Sequence, residues 1–191
     1  MDYSILVNKT NPIPHNYNVE LISYDSKYKN NILVEKKTLE NFLLLQKDAL
    51  NNEIEIDVES GHRTHEYQQM LVDNLIKEKG IQYASKYIAM PYHSEHETGL
   101  ALDICIYIND KCLIEHDITN LEQTVWIQNN VYKYGFILRY PKGKENITGY
   151  NYEPWHFRYV GVELAKYLFN NDLTLEEFYT GIVKKIEKLI I

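Results

Sequence analysis

Alternation between apolar and polar positions is cleanest at IEIDVES, where Ile54, Ile56 and Val58 fall on one side of an extended backbone and Glu55, Asp57 and Glu59 on the other. That two-residue period predicts a half-buried strand. The same period returns after Ala101. Leu102, Ile104, Ile106 and Ile108 alternate, Asn109-Asp110 supplies a tight turn, and Cys112 to Ile114 leads back, so a hairpin is expected. FILRY (136–140) and WHFRYV (155–160) read as two further short strands, and a short apolar run, VELI, occupies Val19 to Ile22.

The helical period takes over elsewhere. From Thr38 to Leu50 it puts Leu39, Phe42, Leu43, Ala49 and Leu50 on one face. Gly61 turns the chain, Thr64 caps a helix to Lys79 with a stripe of Tyr67, Met70, Leu71 and Leu75, and Gly80 ends it. Leu121 to Tyr134, closed by Gly135, and Gly161 to Phe169 read as helices as well. Thr174 and Glu177 form a capping box for a last helix whose face is Phe178, Ile182, Ile186 and Leu189. A hairpin and short strands, mixed with helices that do not alternate regularly with them, predict an α+β fold with helices around a central, largely antiparallel sheet. No repeat, low-complexity tract or charged linker interrupts the chain, so residues 1–191 are expected to form one domain.

Composition narrows the function classes. The 191 residues are 45% hydrophobic and 25% charged, values of an ordinary globular protein with enough chain for a sizeable core. A net charge of -7 argues against nucleic acid as a partner, since phosphate binding needs a basic face. No window approaches the ~20 apolar residues of a membrane helix, so no membrane insertion is expected. The opening MDYSILVNKTNPIPHNY lacks the pattern of a secretory signal, which points to the cytoplasm. Cys105 and Cys112 are too few for a disulfide framework and read as reduced thiols.

Chemistry concentrates in three short stretches. In SEHETGLALD, Asp103 points to the opposite side of its strand from Leu102, Ile104 and Ile106, and a buried carboxylate needs a cationic partner. A turn at Gly99 brings His96 back toward it. Imidazole and carboxylate suit zinc, yet the pair alone reads equally as an ordinary hydrogen-bonded Asp. EPWH adds His156 as a possible third ligand and Glu153, behind the rigid Pro154, as a carboxylate beside the same centre; a core Trp155 and a satisfied core histidine are the plainer alternative. SGHR places Arg63 at a strand-to-helix turn, where it serves either as a surface cation or as the partner of a substrate anion.

The three stretches occur together and in order, as SGHRTHEYQ, SEHETGLALD and YGFILRYPKGKENITGYNYEPWHFRYVG. In that combination the chain closely resembles the VanY and VanXY-type D-alanyl-D-alanine peptidases, within the wider group of lysostaphin-like and hedgehog-like zinc folds. LVNKTNPIP and LTLEEF look like the same family, so the resemblance runs from about Leu6 to Tyr179. The family pattern S-x-H-x-x-G-x-A-x-D falls on Ser94, His96, Gly99, Ala101 and Asp103 without departure.

The resemblance implies a zinc site in a cleft on the sheet, with His96, Asp103 and His156 as ligands. It implies Glu153 as general base and Arg63 as the group that stabilises the oxyanion. Gln68 would hold the C-terminal end of the substrate, Ser94 its backbone, and Trp155 would wall the pocket. His62 stands where the family usually has Tyr. His93 is expected at the pocket rim, and His15, His62, His65 and His116 in loops or on the surface. The 17 tyrosines are assigned no site. The implied activity is zinc-dependent D,D-carboxypeptidase, with D,D-dipeptidase activity beside it, on peptidoglycan precursor peptides ending in D-Ala. An L,D-carboxypeptidase acting on tetrapeptides, a phage-type endolysin domain and a non-catalytic zinc-binding module stand as the rival readings.

Overall fold

The computed structural model describes residues 1–190, with side chains for residues 1–182. A two-stranded ribbon of β1 (Leu21–Tyr24) and β2 (Ile32–Glu35) leads directly into helix α1 (Lys36–Asn51). There follow β3 (Glu55–Ser60), α2 (His65–Lys79), α3 (Ile81–Tyr87), β4 (Ala101–Ile108), β5 (Lys111–Leu113) and α4 (Glu122–Gln128). The chain closes with β6 (Phe136–Leu138), α5 (Glu145–Thr148), β7 (His156–Tyr159), α6 (Val162–Asn170) and α7 (Leu175–Ile190). The main sheet runs β3-β4-β7-β6, with β5 paired to the far half of β4, and every pairing in it is antiparallel. The expected α+β architecture is the one observed.

Register explains why this sheet has two different faces. Val58 pairs with Ile104 and Leu102 with Phe157, and paired residues point to the same side. That side is apolar and packs against Phe42, Leu45 and Ala49 of α1, forming the main core. Asp57 pairs with Cys105 and Asp103 with His156, so the other side carries polar groups. A bulge between Val58 and Ser60 then brings Ser60 opposite Asp103 on the polar side.

Two helical faces differ from expectation. On α1 the buried set is Thr38, Leu39, Phe42, Leu45 and Ala49. Leu43 and Leu50 point outward at 42% and 63% exposed. On α2 the buried residues are Gln68 and Val72. The stripe of Tyr67, Leu71 and Leu75 instead lines an open cleft above the polar side of the sheet, while Met70 is exposed. Helical periodicity found the apolar side of α2, but that side faces the cleft.

The expected helix from Leu121 to Tyr134 breaks after α4. The Asn130 side-chain amide donates to the Trp126 carbonyl at 2.7 Å, taking the acceptor its own backbone N–H would use in a helix. That N–H turns to Ile127 instead, and a 3-10 turn over Val131–Tyr134 follows. The hairpin, by contrast, is as expected, with Asn109 and Asp110 both at positive φ in its two-residue turn. The capping box is present as well: Glu177 accepts from Thr174 N–H at 2.8 Å and Thr174 Oγ1 from Glu177 N–H at 3.2 Å. Ile186 and Leu189 of the expected last face lie outside the described side chains.

Gly61 is fixed by space. Strand β2 passes so close that a Cβ there would stand 2.5 Å from the Leu33 carbonyl oxygen and 2.8 Å from Ile32 Cγ2. Gly61→Ala is therefore expected to lower stability by about 1–3 kcal/mol, the usual cost of overpacking. Urea unfolding checks this, and an unchanged midpoint would contradict the packing described.

Candidate metal centre

Three donors meet on the polar side of the sheet. His96 comes from the 3-10 turn over Glu95–Thr98, Asp103 from β4 and His156 from the start of β7. Gly99, left-handed at φ +74°, ends that turn and sends the chain straight into β4. His96 Nε2 lies 3.1 Å from Asp103 Oδ2, and His156 Nδ1 lies 3.1 Å from Asp103 Oδ1. One donor atom from each of the three residues falls within 4.8 Å of the others, and all three residues are buried.

The donor chemistry fits a divalent first-row cation. His96 Nδ1 faces the Gly61 carbonyl at 2.7 Å, which places its proton there and leaves Nε2 with its lone pair toward Asp103. His96 Nε2 and Asp103 Oδ1 are buried without a hydrogen-bond partner, although the first lies near Asp103 Oδ2 and the second near His156 Nδ1. Burial, aided by the neighbouring Arg63 charge, holds the His96 imidazole down to about 4, neutral as a ligand must be. Burial opposes ionisation of Asp103, but His96 and Arg63 outweigh it and keep the carboxyl well below its ordinary range.

Glu153 and Arg63 border the same centre. Glu153 Oε2 is 3.8 Å from His156 Nδ1, and burial pushes its carboxyl up to about 8. Arg63 donates through Nη2 to Asp103 Oδ2 at 2.5 Å and to Ser60 Oγ at 3.0 Å, so the bulge at the end of β3 helps aim the guanidinium. Its backbone N–H donates to the His96 carbonyl at 3.2 Å, stitching the SGHR turn to the SEHETG turn. Ser94, Gln68 and Trp155 line the same cleft, which encloses about 410 Å³. Gln68 is fully buried and donates to the Ala89 carbonyl at 2.8 Å, with its Oε1 unpartnered. All eight residues singled out from the sequence thus border one cavity.

Glu95 was missed. It lies between Ser94 and His96, and it is the most enclosed carboxylate of the region. Its Oε1 accepts from Arg139 Nε at 2.8 Å and Arg158 Nη1 at 2.7 Å, with all three side chains at 0% exposure. Its Oε2 stands 3.7 Å from His156 Nε2, neither atom having a hydrogen-bond partner. Burial disfavours the charge of Glu95, yet the two guanidiniums hold its carboxyl well below the usual range. The signal available in sequence was a charged residue inside a buried motif, without any spacing to name its partners.

Two histidines correct the expectations. His93 is not on the cleft rim; its Nδ1 meets the Asn8 carbonyl at 2.7 Å and ties down the N-terminal segment. His116 is exposed as expected, but it lines the cleft with its ring edge-on to Trp155, centroids 4.9 Å apart. His65 pairs through Nδ1 with Glu97.

A buried two-histidine, one-aspartate donor set, with a carboxylate and a guanidinium at one cleft, is the arrangement of a hydrolytic metal site. Residues 31–162 match the family described as VanY, D-alanyl-D-alanine carboxypeptidase, and the chain belongs to that family. It is 42% identical over 187 residues to YodJ of Bacillus subtilis, covering 95% of this chain and 68% of that protein. It is 30% identical over 185 residues to VanXYC of Enterococcus gallinarum, a bifunctional D-Ala-D-Ala dipeptidase and carboxypeptidase, covering 96% of each.

Among solved structures, the vancomycin resistance D,D-pentapeptidase VanY of a VanB-type cassette, a Glu-to-Ala mutant in complex with Zn(II), superposes with a TM-score of 0.82 at 36% identity. That match covers 94% of this chain and 99% of the other. The LD-carboxypeptidase LdcB superposes with a TM-score of 0.76 at 39% identity over 92% and 84%.

Two measurements probe the electrostatics. Arg158→Leu would leave Glu95 half-compensated in the interior and should cost about 3–5 kcal/mol in urea unfolding; a loss under about 1 kcal/mol would contradict the pairing. Glu59 lies at the cleft edge, where burial and the charge of Asp103 lift it to about 7. Between its unfolded value of 4.5 and about 7 the native chain holds the extra proton, so its contribution to stability declines as pH rises through that window. In chelator, Glu59→Gln should therefore flatten the fall in stability between about pH 5 and about pH 7. An unaltered slope would show that Glu59 titrates normally.

Proposed function

We propose that this chain is a zinc-dependent D,D-carboxypeptidase, active also on the D-Ala-D-Ala dipeptide, that removes terminal D-alanine from peptidoglycan precursors. The observation that carries the reading is the meeting of His96, Asp103 and His156 with Glu153 and Arg63 at one cavity, inside the segment that matches the family. His96, Asp103 and His156 would hold zinc, which supplies a Lewis acid and lowers the pKa of water when bound.

The protein's own groups do the rest. Glu153 takes the proton of the attacking water and returns it to the departing D-alanine amine. Arg63, fixed by Ser60, directs its guanidinium toward the oxyanion that develops on the scissile carbonyl. Gln68 and Ser94 bind the end and backbone of the peptide, and Trp155 walls the terminal residue. The substrates in this reading are D-Ala-D-Ala and the UDP-linked muramyl pentapeptide, which places the enzyme in the cytoplasm. No helix among the described residues is long and apolar enough to cross a membrane.

The likeness to LdcB favours a second reading, L,D-carboxypeptidase action on tetrapeptides. D-alanine release separates the two: the first expects turnover of dipeptide and pentapeptide, the second turnover of tetrapeptide. Chelator should abolish release in either case. Glu153→Ala should reduce turnover by about 10²–10⁴-fold, the usual contribution of a positioned acid–base group, with zinc still bound. Unchanged turnover in that variant removes Glu153 from the mechanism. Elemental analysis should find about one zinc per chain, mostly lost in His96→Ala, Asp103→Ala or His156→Ala; retention in all three removes the site.

A further inference from the structure

The family pattern leaves the position between its serine and its first histidine free, yet in this chain Glu95 occupies the most constrained environment near the centre. We propose that Glu95 is a positioning residue for His156: its carboxylate faces Nε2 and favours the proton there, so that Nδ1 keeps its lone pair on the side of Asp103 and Glu153. The inference rests on the reading of His156 as a metal ligand.

The geometry assigns each oxygen a separate task. Oε1 is taken by Arg139 and Arg158 at 2.8 and 2.7 Å, which fixes the carboxylate plane. Oε2 has no other partner and faces His156 Nε2 at 3.7 Å. On the other side of the ring, Nδ1 lies 3.1 Å from Asp103 Oδ1 and 3.8 Å from Glu153 Oε2. An imidazole carrying its proton on Nε2 offers Nδ1 to a cation; the opposite tautomer blocks it. A carboxylate on Nε2 selects the first and raises the basicity of the ligating nitrogen.

The clamp itself is anchored outside the sheet. Arg139 reaches through Nη1 and Nη2 to both carboxylate oxygens of Glu176, in the first turn of α7, at 2.9 and 2.6 Å. Arg158 also donates to the carbonyls of Tyr3 and Ile5. The aim of Glu95 thus depends on segments from both ends of the described chain.

Glu95→Gln tests this with little change in shape. The single amide oxygen goes to the two guanidiniums, so the amide N–H₂ meets His156 Nε2 and imposes the wrong tautomer. Co(II) affinity, measured by chelator competition, should fall by about 10–100-fold, the usual effect of losing such a partner. The visible spectrum of the Co(II)-loaded protein should shift as well. Unchanged affinity and spectrum overturn the proposal.

If Glu95→Gln does not fold, Glu176→Gln provides the reading. It loosens Arg139 from its far end, and Co(II) affinity should drop roughly threefold or more; no change overturns the proposal equally. His156→Ala separates the layers. Lost Co(II) binding there with full binding in Glu95→Gln strikes only the role of Glu95. Full binding in His156→Ala strikes the metal site and this proposal together.

Discussion

Glu95, a carboxylate buried between two guanidiniums and against one histidine, is the constraint around which this protein is organised. Ionised groups taken out of water are tolerated only when each oxygen and each N–H finds a partner. Arg139 and Arg158 are among the largest fully buried side chains, and both donate to Glu95, Arg139 sharing its guanidinium with Glu176. Their placement follows from the sheet. β7 carries His156 and Arg158 on the polar side, two residues apart, and Arg139 follows directly after β6. The apolar side of the same strands builds the core with α1. A period of two lets one strand serve both purposes.

Much of the fold was legible because the main sheet has one dry face. Ile56, Val58, Leu102, Ile104 and Ile106 alternate as a strand against a core must, and their register follows from that alternation. Edges and short elements were not legible. Strand β2 lies in a stretch without polar alternation, and α3 is a helix of seven residues with one buried side chain. The stripe on α2 was found, but its destination was not, since an apolar face against a cleft and one against a core share a period. The break after α4 was set by a single side-chain amide, at Asn130, which a periodicity search does not weigh.

The site divides in the same way. His96, Asp103 and His156 were found as residues of the right type in three stretches, and their convergence is a fact of register: Asp103 pairs with His156 across β4 and β7. Glu95 had no such signature, because its partners lie 44 and 63 residues away. LVNKTNPIP and LTLEEF carried a resemblance without chemistry. In the structure they meet: the Asn8 side chain donates to Glu176 at 3.1 Å, and Glu176 holds Arg139. Both segments therefore belong to the support of the centre.

Asp103 carries more than one duty. Its Oδ2 faces His96 Nε2 and accepts from Arg63, while its Oδ1 faces His156. Arg63 is thereby fixed beside the donors at 17% exposure, partly open to the cleft. A guanidinium so close to a metal site would ordinarily compete with the cation. Here it shares the negative charge of one carboxylate, while Glu153 across the same ring is held up to about 8 by burial and stays largely protonated near neutral pH. What draws a divalent cation here is the set of lone pairs on two buried imidazoles and one carboxylate. The buried Glu95 adds a third carboxylate, but its charge is already met by two arginines. It therefore contributes orientation to the centre and little field.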